Sequence, residues 1–141
     1  MNDRDKQSLL LIRKYCMQIF AARERFGNSL DAFRADDAFY DAMAMKLFQV
    51  GELAAKLSPE LASASENRVP WRGLRSLRNL LASEYEAVVT PKLWSVITED
   101  IPALLSFCDE VIAENDISSV PDDSFPWNSV REGISNALRL F

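Results

Sequence analysis

The stretch Pro70-Trp71-Arg72-Gly73-Leu74-Arg75-Ser76-Leu77-Arg78-Asn79-Leu80-Leu81-Ala82-Ser83-Glu84-Tyr85 decides how the chain folds, because its apolar and polar residues separate cleanly on a helix. At about 100° per residue, Leu74, Leu77 and Leu81 form one face, while Arg72, Arg75, Asn79 and Ser83 fall within about 80° of one another on the opposite side. Pro70-Trp71 starts this helix, and the pattern carries it to about Tyr85.

Working outward, the same three- to four-residue rhythm recurs on both sides. From Ser8 to Phe26, the residues Leu9, Ile12, Cys16, Ile19 and Phe26 make one dry face, and Gly27-Asn28 stops the helix. Asn28-Ser29 opens a short turn or helix. Asp36-Asp37 then puts acids at the start of a second long helix, where carboxylates suit the free backbone N–H groups. Its dry face is Phe39, Met43, Leu47, Val50, Ala54 and Leu57. Gly51 interrupts it at a cost of about 1 kcal/mol relative to Ala, which a close approach by a neighbouring helix would explain. Ser58-Pro59 caps a brief helical turn, and Ser63 to Arg68 is a connector.

After the quoted stretch, Thr90-Pro91 repeats the cap-plus-proline signal and launches a helix with core residues Leu93, Ile97, Ile101, Leu104, Leu105, Cys108 and Ile112. Pro102 lies inside it and predicts a kink near Glu99 to Ile101. Residues 116 to 126 have loop composition, and Val130, Ile134, Leu138 and Phe141 mark one face of a final helix, too short to be stable alone. The expected organisation is a helical bundle over 1–115, followed by a linker and an amphipathic helix over 116–141 that packs on the bundle or on a partner.

Composition agrees with an all-α class. Of 141 residues 48% are apolar, yet only four are Gly and six Pro, too few for the frequent turns of an all-β fold. The formal charge of −5 argues against a protein that coats nucleic acid non-specifically. Between residues 68 and 92, however, five basic residues (Arg68, Arg72, Arg75, Arg78, Lys92) face only Glu84 and Glu86, a local +3 that leaves −8 for the rest. Such asymmetry marks a surface that meets phosphate or an acidic partner, or arginines paired with acids on neighbouring helices. Cys16 and Cys108 sit far apart in apolar patterns, and the chain opens on Asn2-Asp3-Arg4-Asp5-Lys6, so a reduced cytoplasmic protein is expected, with no membrane span.

Familiar chemistries find little here. There is no histidine, and two distant cysteines leave carboxylates such as Glu52, Glu99 and Asp100 as the only metal ligands on offer, so no metal or other cofactor is expected. No glycine-rich phosphate loop and no glycine-framed serine nucleophile is present.

Several segments together resemble the HepT-like HEPN family: Gly51-Glu52-Leu53-Ala54-Ala55-Lys56-Leu57-Ser58-Pro59-Glu60, Pro70-Trp71-Arg72, Leu77-Arg78-Asn79, and Trp94 with Thr98-Glu99-Asp100-Ile101-Pro102. The resemblance runs in order over roughly residues 3 to 115. It implies an antiparallel four- or five-helix HEPN-like bundle, here with an additional C-terminal helix, that forms a homodimer with its active groove between subunits. It further implies a toxin that cuts RNA without a metal and is neutralised by an MNT-type nucleotidyltransferase antitoxin. The family signature is Arg, four to six residues, His, one residue, Tyr. Arg78 and Tyr85 match it, and Ser83 stands at the histidine position. By resemblance, Arg78 holds the scissile phosphate, Asn79 orients it, and Tyr85 is a site of adenylylation by the partner; Arg72 and Arg75 extend the phosphate-binding surface.

The substitution matters chemically. Metal-free RNA cleavage needs a base for the 2′-OH proton and an acid for the leaving 5′-oxygen, roles best filled by a group titrating near neutrality. Serine does not do so, and losing a general acid–base costs about 10² to 10⁴ in rate. Five residues also turn a helix by about 500°, leaving Arg78 and Ser83 about 140° apart, so they meet only if the helix ends between them or if two subunits share the site. Three functions are therefore carried forward: a ribonuclease scaffold inactive or very weak as written, a non-enzymatic subunit of a nucleotidyltransferase modified at Tyr85, and an RNA-binding protein using Arg72, Arg75 and Arg78.

Overall fold

The computed structural model describes residues 1–115 and 117. The helices are α1 (Asp3–Phe26), α2 (Leu30–Ala35), α3 (Asp37–Ala55), α4 (Pro59–Ser65), α5 (Trp71–Ser83), α6 (Thr90–Ser95) and α7 (Ile101–Glu114), and there is no strand among the described residues. The fold is an all-α bundle. The helix expected around Val130 to Phe141 lies outside the described residues.

Three long-range pairings show how α1 and α3 run. Phe26 stacks on Phe39 at 5.1 Å, Lys46 donates to Gln18, and Asp5 accepts from Ser58, so the two helices are antiparallel along their whole length. α5 lies antiparallel to α3 in turn, with Leu74 and Arg78 beside Gly51 and Tyr85 beside Asp41. α7 closes the bundle against α1, where Arg13 meets Asp109 at 2.6 Å. The leucines of the quoted stretch, Leu74, Leu77 and Leu81, are buried as expected, together with every residue predicted for the dry face of α3. An aromatic cluster of Phe26, Phe33, Phe39, Tyr40 and Trp94 fills one end, its rings 5.0 to 6.1 Å apart in stacked, tilted and edge-on pairs.

Caps follow the sequence signals in most places. Ser29 accepts from Ala32 N–H, Asp36 from Ala38 and Phe39, and Ser58 from Leu61. Gly27 ends α1 at φ 98°, a left-handed conformation that L side chains resist. Three expectations need correction. α1 starts at Asp3, not near Ser8, because Asn2 caps it through Asp5 N–H. α4 runs to Ser65, into the expected connector. The Thr90 side chain caps nothing: the helix begins at Thr90 itself after Val89. Ahead of Pro102, where the sequence predicts a kink, the helix passes through a π-helical turn over Val96–Asp100, widening by one residue before the missing N–H. Beyond that turn Phe107 and Val111 are buried, whereas Leu105 and Ile112 are only partly covered.

Candidate active site

Gly51 supplies the close approach that the sequence suggested. A Cβ there would overlap the Arg78 Cβ and stand 2.8 Å from the Leu74 carbonyl oxygen, so α3 and α5 touch through backbone and side-chain stem at this level. The next residue uses the proximity. Glu52 Oε1 accepts from Arg78 Nη1 at 2.6 Å, in a pair with about a third or less of each side chain exposed. Arg78 Nε is buried with no partner among the described residues, so one face of the guanidinium keeps an unused donor.

Ser83 occupies the last residue of α5, and its hydroxyl bonds back to the Asn79 carbonyl at 2.7 Å. That bond spends the hydroxyl on its own helix. Because α5 continues unbroken from Trp71 to Ser83, Arg78 and Ser83 diverge by the helical angle and one chain does not bring them together. Asn79 is exposed. Glu84 then leaves helical geometry at φ −141° and ψ 51°, which ends α5 before Tyr85 and turns the chain into a short 3₁₀ segment, Tyr85–Ala87.

This break sets the direction of Tyr85. Its hydroxyl donates to Asp41 Oδ1 on α3, and its ring meets that of Tyr40 edge-on at 5.8 Å. Tyr40 in turn donates to the Val88 carbonyl. Partial burial, the hydrogen bond to Asp41 and the negative charges of Asp41 and Glu86 all hold the Tyr85 phenol above the usual tyrosine range. Asp41 and Tyr40 were invisible to sequence reasoning, since nothing local announces a partner 44 residues away.

The arginines do not act as one patch. Arg68 pairs with Glu110 at 2.6 Å and lies over the Phe107 ring, and Arg78 pairs with Glu52. Arg72 and Arg75 form no ion pair among the described residues and line an open groove between α4 and α5. Of the carboxylates that sequence offered as ligands, Glu52 serves Arg78 and exposed Glu99 accepts from Ser95 at 3.1 Å. Asp100 has its acidity weakened mainly by burial. No group of three or more metal-binding side chains exists among the described residues.

Beside Tyr85 lies a second, mostly apolar groove of about 570 Å³ walled by Ala44, Met45, Phe48, Leu81 and Ala82. Met45 is 57% exposed and Leu80 43%, high values for such side chains on adjoining helices. No helix among the described residues is long and apolar enough to cross a membrane.

Comparison with known proteins places this geometry in context. The family profile described as Ribonuclease HepT-like matches residues 12–111, which include α3, α5 and every residue of the site above. A curated protein of Caldanaerobacter subterraneus subsp. tengcongensis, named as a candidate RNase, is 29% identical over 86 residues, spanning 61% of this chain and 76% of its own. No solved structure matches the chain significantly.

Proposed function

We infer the function from the family: this chain belongs to the HepT-like ribonucleases, and its α3–α5 face is a ribonuclease scaffold with Arg78 as the phosphate-holding residue. Asn79 orients that phosphate, and Arg72 and Arg75 extend the basic edge along α5. Ser83, standing where the family carries histidine, provides no proton-transfer group at neutral pH and is tied to Asn79. Cleavage by the chain as written is accordingly very weak or absent. The divergence of Arg78 and Ser83 on one unbroken helix carries the reading furthest, because it supports a site completed by a second copy across the apolar Met45–Leu80 surface. Within this proposal the protein is the toxin half of a toxin–antitoxin pair, acts in the cytoplasm, and is held in check by an MNT-type nucleotidyltransferase.

The test is Ser83→His. The purified variant should cleave single-stranded RNA without added metal and arrest growth on expression, at least 10²-fold above the parent chain. A well-folded Ser83→His protein that leaves RNA intact defeats the catalytic reading.

One observation favours a second reading. The Tyr85 hydroxyl is bonded to the Asp41 carboxylate while its ring stays 37% exposed, an arrangement that suits a phenol nucleophile beside a proton acceptor. In that reading the chain is a non-enzymatic regulatory partner. Tyr85 oxygen attacks the α-phosphorus of a nucleoside triphosphate held by the nucleotidyltransferase, pyrophosphate leaves, and Asp41 takes the proton. An adenylyl mass on Tyr85, lost in Tyr85→Phe, distinguishes it.

A further inference from the structure

Arg72 and Arg75 stand over the groove between α4 and α5, about 870 Å³ in volume, whose accessible wall mixes the apolar Pro59, Ala62 and Pro70 with Ser63, Asn67 and the acidic Glu66. Its floor is rigid. Trp71 is 2% exposed and donates through Nε1 to Ser65 Oγ at 2.8 Å, and Ser65 in turn donates to the Leu61 carbonyl at 2.7 Å, which ties α4 to the start of α5. The stems of Arg72 and Arg75 are therefore set on a fixed rim and, unlike those of Arg68 and Arg78, their head groups form no ion pair among the described residues, although Glu66 lines the same groove.

We propose that this groove is a base-binding subsite for single-stranded RNA, a reading that rests on the ribonuclease assignment and extends it to substrate selection. Arg72, Arg75 and Asn79 share one side of α5, and seven residues at 1.5 Å each put Arg72 about 10 Å from Asn79 along the axis. A strand with a phosphate at Asn79 lays its neighbouring phosphates against Arg75 and Arg72. The base attached there turns away from the arginines and into the groove. Apolar wall accepts its flat face, while Ser63 and Asn67 offer a hydroxyl and an amide to its edge. A duplex keeps its bases stacked and paired, so it can satisfy the arginines but leaves the groove empty. The subsite thus separates affinity, supplied by charge, from strand selectivity, supplied by the groove.

Binding is the appropriate readout, since it does not require cleavage. The full chain is titrated with a short single-stranded oligoribonucleotide and with the duplex of the same sequence, across a salt series. The expected result is at least tenfold tighter binding of the single strand. Ser63→Leu with Asn67→Leu, at two exposed positions, should abolish that preference and leave the salt dependence unchanged. Arg72→Ala with Arg75→Ala should weaken both RNAs and reduce the salt slope by about 2, one per phosphate contact. Equal binding of strand and duplex, or a preference that survives filling the groove, overturns the subsite while leaving the ribonuclease reading intact. If no RNA binds in any form, the ribonuclease reading fails first and the subsite falls with it. Unchanged helical circular dichroism shows that each variant is folded, and Asn67→Leu alone, expected to reduce the single-strand preference without changing the salt dependence, serves if the double leucine variant is not.

Discussion

Tyr85 shows how one side chain gains its character from distant neighbours. All three tyrosines, Tyr15, Tyr40 and Tyr85, have phenols held above the ordinary range, chiefly by desolvation. A raised tyrosine pKa means that the folded state favours the neutral form, so its stabilising contribution is complete below the unfolded value near 10 and is lost as pH climbs through the folded one. Phenolate absorbance at pH 10 should therefore be lower than for three unperturbed tyrosines, and should rise when alkaline unfolding releases the rings. Asp41→Asn should bring Tyr85 ionisation down toward the ordinary range, visible in the same titration. Gly51 gives a second residue-scale prediction. Ala would recover about 1 kcal/mol of helix propensity, but the overlap with Arg78 and the Leu74 carbonyl costs about 1–3 kcal/mol or more. A net loss of up to about 2 kcal/mol is expected in denaturant unfolding. Gly51 and Arg78 were both legible in the sequence as special positions. Their contact with each other was not, because the pairing of two helices is not written in either one.

At the scale of elements, the joint between α1 and the α3–α4 junction is the most informative. Asp5, 3% exposed in the first turn of α1, accepts from both Ser58 N–H at 2.9 Å and Ser58 Oγ at 2.6 Å, and the same hydroxyl oxygen caps α4 through Leu61. Ser58→Ala removes a cap and leaves a buried carboxylate short of one donor, a combined cost of about 2–4 kcal/mol. Urea unfolding should show it, and Ser58→Thr should restore most of it. The sequence disclosed the cap but not its second duty, since Asp5 sits in a polar opening that reads as a solvated helix start. The π-turn was hidden for a related reason. Leu93, Ile97, Ile101 and Leu104 keep an ordinary helical rhythm through it, so the extra residue becomes visible only in the inward placement of Phe107 and Val111.

For the whole molecule, charge and apolar exposure point to different faces. Two of the arginines that made the 68–92 region look basic are matched by Glu110 and Glu52, which leaves Arg72, Arg75 and Lys92 without an ion pair among the described residues. Composition gave the asymmetry but not the pairing. Three of the exposed large apolar side chains, Met45, Leu80 and Tyr85, lie instead on α3 and at the C-terminal end of α5, while Met17 and Val89 are exposed elsewhere. If that surface joins two copies, light scattering should report twice the 16.0 kDa chain mass, and Met45→Glu with Leu80→Glu should yield the monomer. A parent chain that is monomeric at high micromolar concentration would remove the shared-site arrangement.

Gly51 also has a bearing on the order in which a newly made chain becomes competent. The notch in α3 and the stem of Arg78 in α5 are separated by the whole of α4 and its connector, so the arginine is fixed against Glu52 only once α5 has emerged and docked. Before that, the side chain is a solvated cation on an isolated helix of 13 residues, a length that is marginal in water. The Arg78–Glu52 pair is thus a product of completed folding, and a growing chain passes through synthesis without it.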